Sequence, residues 1–216
     1  MFVYLPSCKF TAANPEASGK LKAYFAEKDG FRVAGCCKPE QKKLQPGDTV
    51  LALCQSCEAI TRENNPEARV VSLWEYALTD PDFPWPDLNG ERITVQDCWR
   101  ARNNAPLLDA VRACLRRMNA VPVEIAENRE NTEFDGVWRF QAFTPAQMAS
   151  APKFFGEVAE KYATPLPPEE QQRRMREWVK QYETDRVVTY CNACLRGVKM
   201  GGANGVHLGA LLASGL

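Results

Sequence analysis

Two short apolar runs each end on a Cys-x-x-Cys pair: Leu51-Ala52-Leu53-Cys54-Gln55-Ser56-Cys57 and Val188-Thr189-Tyr190-Cys191-Asn192-Ala193-Cys194. A short apolar run that stops on a thiol reads as a buried strand delivering a cysteine to the loop beyond it. The surroundings repeat as well. Each half runs strand, cysteine, helix, strand, special loop, strand, Cys-x-x-Cys, helix, and a matching apolar stretch follows each motif, Val71-Ser72-Leu73 and Val206-His207-Leu208. Strands alternating with helices imply parallel sheets, whose functional groups gather on loops at the strands' C-terminal ends. The expected fold is therefore α/β, with two pseudo-symmetric halves. Each half is a small parallel β-sheet flanked by helices, with the cysteines at that edge.

The elements follow from local signals. Phe2–Leu5, Phe31–Ala34 and Thr49–Leu53 read as strands of the first half. Between the first two, Pro15–Lys28 reads as a helix, with Asn14 as N-cap and Gly30 as stop. In the second half Arg92–Gln96, Val121–Ile125 and Arg186–Tyr190 read as strands, and Pro122 demotes the middle one to an edge. Helices are expected over Pro106–Met118, Pro145–Tyr162 with a break near Pro152, Pro168–Tyr182, and His207–Leu212. Pro81, Pro84 and Pro86 interrupt both kinds of element, so residues 80–91 read as a linker between a half at 1–79 and a half at 92–216. Phe83 and Trp85 on that linker either staple the halves together or dock a partner; the staple is favoured.

Composition narrows the function. The 216 residues carry 27 basic and 27 acidic side chains, a balance that argues against a nucleic-acid binder. No leader and no membrane-spanning run is visible, and the expected location is the cytoplasm. In a reducing compartment, the nine cysteines are more simply read as metal ligands or redox thiols than as disulfide staples.

Cys8, the adjacent Cys36-Cys37, and Cys54-x-x-Cys57 fall on three neighbouring strand-to-helix loops and should converge. Five thiols exceed the four ligands of a tetrahedral zinc and suit an iron–sulfur cluster. Zinc held by four of them, a Cys36–Cys37 disulfide switch, and inert buried thiols are the competing readings. Cys114, on the apolar face of its helix, is expected to be a core residue.

The pattern Cys-xn-Cys-Cys-Gly-xn-Cys-x-x-Cys resembles the cysteine-rich CCG domain found in subunits of heterodisulfide reductase and of related oxidoreductases. That domain commonly occurs as two tandem copies. The resemblance implies a 4Fe-4S cluster, of the non-cubane kind in the heterodisulfide reductases, held by Cys8, Cys36, Cys37, Cys54 and Cys57. It further implies electron transfer or thiol/disulfide reduction, with electrons from a separate ferredoxin-like or flavin subunit. This chain departs from the pattern in two places. Lys38 stands where the first copy should have glycine, and Gly35 is expected to serve the turn instead. In the second copy, Phe134-Asp135-Gly136 stands where Cys-Cys-Gly should be. Cys98, Asp135, Cys191 and Cys194 then form a four-ligand set that suits zinc, a cluster with one oxygen ligand, or no metal. The alternative to a redox role is a zinc-stabilised scaffold or thiol-binding module without catalysis.

The remaining features have plainer readings. His207, the only histidine, is expected to serve a helix end or packing. Gly201–Gly205 lacks the spacing of a phosphate loop and reads as a turn. Glu169–Arg176 reads as a solvated helix face. Asp97 and Arg100 flank Cys98; local pairing is the simpler role for them, and a place beside the site is the other.

Overall fold

The computed structural model describes residues 1–216, apart from the side chains at 159 and 160. The first half contains β1 (Phe2–Leu5), α1 (Cys8–Ala13), α2 (Pro15–Ala26), β2 (Phe31–Val33), α3 (Cys37–Glu40), β3 (Thr49–Ala52), α4 (Gln55–Asn64), β4 (Arg69–Ser72) and α5 (Leu73–Thr79). The second contains β5 (Arg92–Val95), α6 (Ala105–Arg117), β6 (Val121–Val123), α7 (Pro145–Met148), α8 (Pro152–Lys161) and α9 (Pro168–Trp178). It ends with β7 (Arg186–Thr189), α10 (Asn192–Met200), β8 (Gly205–His207) and α11 (Leu208–Ala213).

The strands form two four-stranded sheets, ordered β2-β1-β3-β4 and β6-β5-β7-β8. Every pairing is parallel. The two orders are the same, so the halves are pseudo-symmetric α/β units. Central strands of parallel sheets are covered on both faces, which demands continuous apolar runs. Val3, Tyr4 and Leu5 of β1 and Val50, Leu51 and Ala52 of β3 are accordingly all buried. Pro122 cannot donate to a ladder, and β6 lies at its sheet's edge.

Several boundaries differ from the sequence pattern. Helices begin at Cys8 and at Cys37, directly on the cysteines, where the pattern shows only loops. Pro152 splits the 145–162 segment into α7 and α8 because it lacks an N–H to carry one helix through. His207 ends strand β8 and caps α11 rather than lying within it. Gly35 has no left-handed φ and open space around its Cβ position, so the turn before Cys36 does not need a glycine.

One core cluster runs through both halves, joining Tyr4, Phe10 and Leu51 to Val95, Val188 and Leu208. Phe83 of the 80–91 segment is buried, with its ring 5.3 Å from that of Tyr24. Phe10 packs its ring 4.7 Å from that of His207, so the sole histidine sits within the seam.

His207 Nδ1 accepts from the Gly209 N–H at 3.1 Å, which requires the neutral ring. Burial brings its pKa down to about 4, with Cys191 nearby pulling the other way. In the unfolded chain the value is about 6.5. Folding therefore excludes a proton that the unfolded chain takes up as pH falls from 6.5 towards 4. Stability should be complete above that window and decline by about 3 kcal/mol across it. His207→Asn keeps an acceptor for the cap and removes the titration. The difference between variant and parent in chemical denaturation at pH 7 and pH 4.5 isolates the effect; a constant difference would show that His207 carries no such linkage.

Candidate metal centre

In both sheets the connections run outward in opposite directions from the two central strands: β1 leads to β2 on one side and β3 to β4 on the other, and β5 and β7 lead likewise to β6 and β8. The crevice outside the C-terminal ends of the central strands is the topological switch point, where open α/β sheets bind ligands. Cys8 follows β1 and Cys54 follows β3; Cys98 follows β5 and Cys191 follows β7. These thiols also lie at helix starts. Cys8 and Cys37 open α1 and α3, Cys54 and Cys191 are the N-caps of α4 and α10, and Cys98 caps a short 3-10 turn. Unpaired N–H groups and the positive end of the helix favour thiolate there. Ser7, which precedes Cys8, holds a left-handed φ of 61° and caps α1 through its hydroxyl. That strained geometry for a residue with a side chain turns the chain sharply at the site.

The second-half set is compact. Cys98, Asp135, Cys191 and Cys194 are all buried, and their ligand atoms lie within 4.8 Å of one another. Zinc–sulfur bonds of about 2.3 Å place tetrahedral ligands roughly 3.8 Å apart, so a modest contraction would close this set on one ion. The Cys98 thiol donates to Asp135 Oδ1 at 3.3 Å, and the Cys194 N–H donates to Cys191 Sγ at 3.4 Å. Asp135 Oδ2 is buried without a partner. Such an atom is costly to leave alone and suits a ligand to a cation. Burial, countered by Arg100, lifts Asp135 to about 6. Burial also opposes ionisation of Cys191, yet thiol donation from Cys194 and Cys98, together with Arg100, holds it well below the ordinary thiol range.

The first-half thiols are joined differently. Cys57 interacts electrostatically with Cys37 and with Cys54, and Cys37 with its neighbour Cys36. The interaction with Cys57, against burial and with help from Arg100, brings Cys54 down to about 6. Cys57 is pushed well above the ordinary range by the same two interactions. Burial raises Cys8, and the neighbouring Cys36, Cys37 and Cys54 raise it further. All five therefore share one neighbourhood, from the exposed Cys8 to the buried Cys37 and Cys57. Among the described residues they do not close to single-ion spacing as the second set does.

Arg100 joins the two sets. Its buried guanidinium donates to Asp135 Oδ1 at 2.8 Å, to Cys191 Sγ at 2.8 Å, and to the Ser56 hydroxyl at 2.8 Å. Ser56 lies between Cys54 and Cys57. Trp138 covers the guanidinium, 4.1 Å from ring centre to Cζ. Of the two residues flanking Cys98, Arg100 thus belongs to the site itself. Asp97 works from behind. It accepts from Arg112 at 2.8 and 2.5 Å, from the Tyr190 hydroxyl at 2.8 Å and from the Arg129 N–H at 2.9 Å. The Tyr190 oxygen in turn accepts from the Cys98 N–H at 3.2 Å. Ser56, Trp138 and Tyr190 carry no motif, and only their neighbours in the chain pointed towards them. Cys114 lies apart, in the core of α6, and burial alone pushes it up to about 12.

No protein-family model matches this sequence, and no curated protein matches it. Among the described residues, no helix is long and apolar enough to cross a membrane. The buried Cys/Asp set can hold a metal ion, and that conclusion rests on its geometry alone.

Proposed function

We propose that the chain is an iron–sulfur redox protein or subunit of the CCG class. Cys8, Cys36, Cys37, Cys54 and Cys57 would hold a 4Fe-4S cluster. Cys98, Asp135, Cys191 and Cys194 would hold a single ion. The observation that carries the reading is the gathering of five thiols at helix starts along one sheet edge, in contact with a second buried thiol set through Arg100.

A cluster, when bound, supplies electrons for transfer or for reduction of a thiol or disulfide. The residues of the chain do the rest. The helix ends and Arg100 stabilise thiolate charge, and Trp138 shields the guanidinium from water. A separate electron donor, ferredoxin-like or flavin-bearing, is part of this reading, because the sequence has no ferredoxin-type cysteine run and no dinucleotide fingerprint.

One observation favours the second reading, a zinc-stabilised scaffold or thiol-binding module: the four ligands of the second set already stand near single-ion spacing. Metal analysis separates the two. Anaerobically prepared protein should contain about four irons and matching sulfide per chain, with charge-transfer absorption in the visible. Cys36→Ser with Cys37→Ser should abolish that iron and leave any zinc at the second set. Stoichiometric zinc without iron, or iron content indifferent to the double substitution, overturns the cluster assignment.

A further inference from the structure

A cavity of about 200 Å³ is lined by residues of both Cys-x-x-Cys motifs, Cys54 and Cys191 among them. Its lining includes four basic side chains, Lys9, Arg100, Arg196 and Lys199, and no carboxylate. Arg100 is already committed to Asp135 and Cys191. Lys9, Arg196 and Lys199 are a different matter: among the described residues none has a carboxylate within ion-pair distance. The anionic groups beside these three exposed cations are the low-pKa thiols Cys54 and Cys191, which leaves the lining with an excess of positive charge.

A second observation points the same way. Asn192, the first residue of α10, also lines the cavity, and both its Oδ1 and its Nδ2 are buried without a hydrogen-bond partner. Buried amides are rarely left so, because each unpaired polar atom costs about 1–3 kcal/mol. A rotation of this amide towards the cavity would give Nδ2 an acceptor on a bound anion. The nine-residue helix behind it directs its positive end to the same place.

Size restricts the ligand. Pockets for drug-sized molecules span roughly 300–1,000 Å³. This one, at about 200 Å³, is smaller than that range. We propose that the cavity binds a small dianion, phosphate or a short dicarboxylate, held by Lys9, Arg196, Lys199 and the Asn192 amide. The groups that would hold the anion are not ligands of either thiol set, so the site does not require a bound metal.

Calorimetric titration with inorganic phosphate, malonate and uncharged malonamide tests it, on protein both as prepared anaerobically and after metal removal. Phosphate and malonate should bind in both preparations, and malonamide in neither. Arg196→Gln with Lys199→Gln should weaken both dianions by about tenfold or more, equivalent to about 1.4 kcal/mol, and Lys9→Gln should weaken them less. All three positions are exposed, so an unchanged melting temperature is expected to accompany the loss. Failure of both dianions to bind, equal binding of malonamide, or affinities untouched by the double variant would overturn the proposal. So would loss of iron from that variant with phosphate affinity unchanged, since the cations would then serve only to balance thiolate charge.

Discussion

Gly136→Ala should unfold the second half of the site: a loss of at least about 3 kcal/mol in stability, with the second set no longer taking up metal. Gly136 has a φ of 54°, and a Cβ there would lie 2.1 Å from the Ala193 carbonyl oxygen and 2.6 Å from Cys194 Cα. Those are backbone atoms of α10 and cannot rotate away. Relief requires the 134–140 segment to lift off the helix, and Asp135 moves with it. The left-handed backbone adds about 1–2 kcal/mol for any residue with a side chain. Denaturant unfolding reads the stability, and cobalt or zinc titration reads the second set. A variant with wild-type midpoint and metal uptake would mean that this contact does not hold Asp135 in place.

The second large effect is expected at Arg112. Its guanidinium and the Asp97 carboxylate are both almost fully buried. Arg112→Met keeps most of the stem and removes the charge, so Asp97 is left with only Tyr190 and the Arg129 N–H. Breaking one side of a buried pair costs about 3–5 kcal/mol. The reverse substitution, Asp97→Leu, should cost less, because Glu124 still pairs with Arg112 from the surface side. Combining the two should recover part of the loss, as buried pairs replaced together often are near neutral. Urea denaturation of the three variants checks the order. A cost below about 1 kcal/mol for Arg112→Met would show that the pair is not what organises this layer.

The sequence pattern carried the fold well because parallel strands buried on both faces must be continuous apolar runs, as Phe2–Leu5 and Thr49–Leu53 are. Pro122 marked an edge and Pro152 a helix break for equally direct reasons. The helices starting on Cys8 and Cys37 were hidden, since six and four residues are too short to show a period. Gly35 looked necessary because glycine is expected near a missing one, but the segment at Lys38 simply continues as a helix. Lys38 instead reaches across to the Ala146 carbonyl at 2.8 Å, a contact between residues 108 positions apart that no local pattern encodes. Arg100 was legible only as a neighbour of Cys98. What makes it part of the site is the meeting of three separate segments around one guanidinium, and that meeting is tertiary.

Arg100 is shared between the two thiol sets. Ser56 cannot shift without moving the cysteines on either side of it, and Arg100 cannot shift without releasing Asp135 and Cys191. A metal bound by either thiol set would change the charge facing that same guanidinium, which already lowers the pKa of both Cys54 and Cys191. The two sets are therefore electrostatic neighbours through a single buried cation, which neither set has to itself.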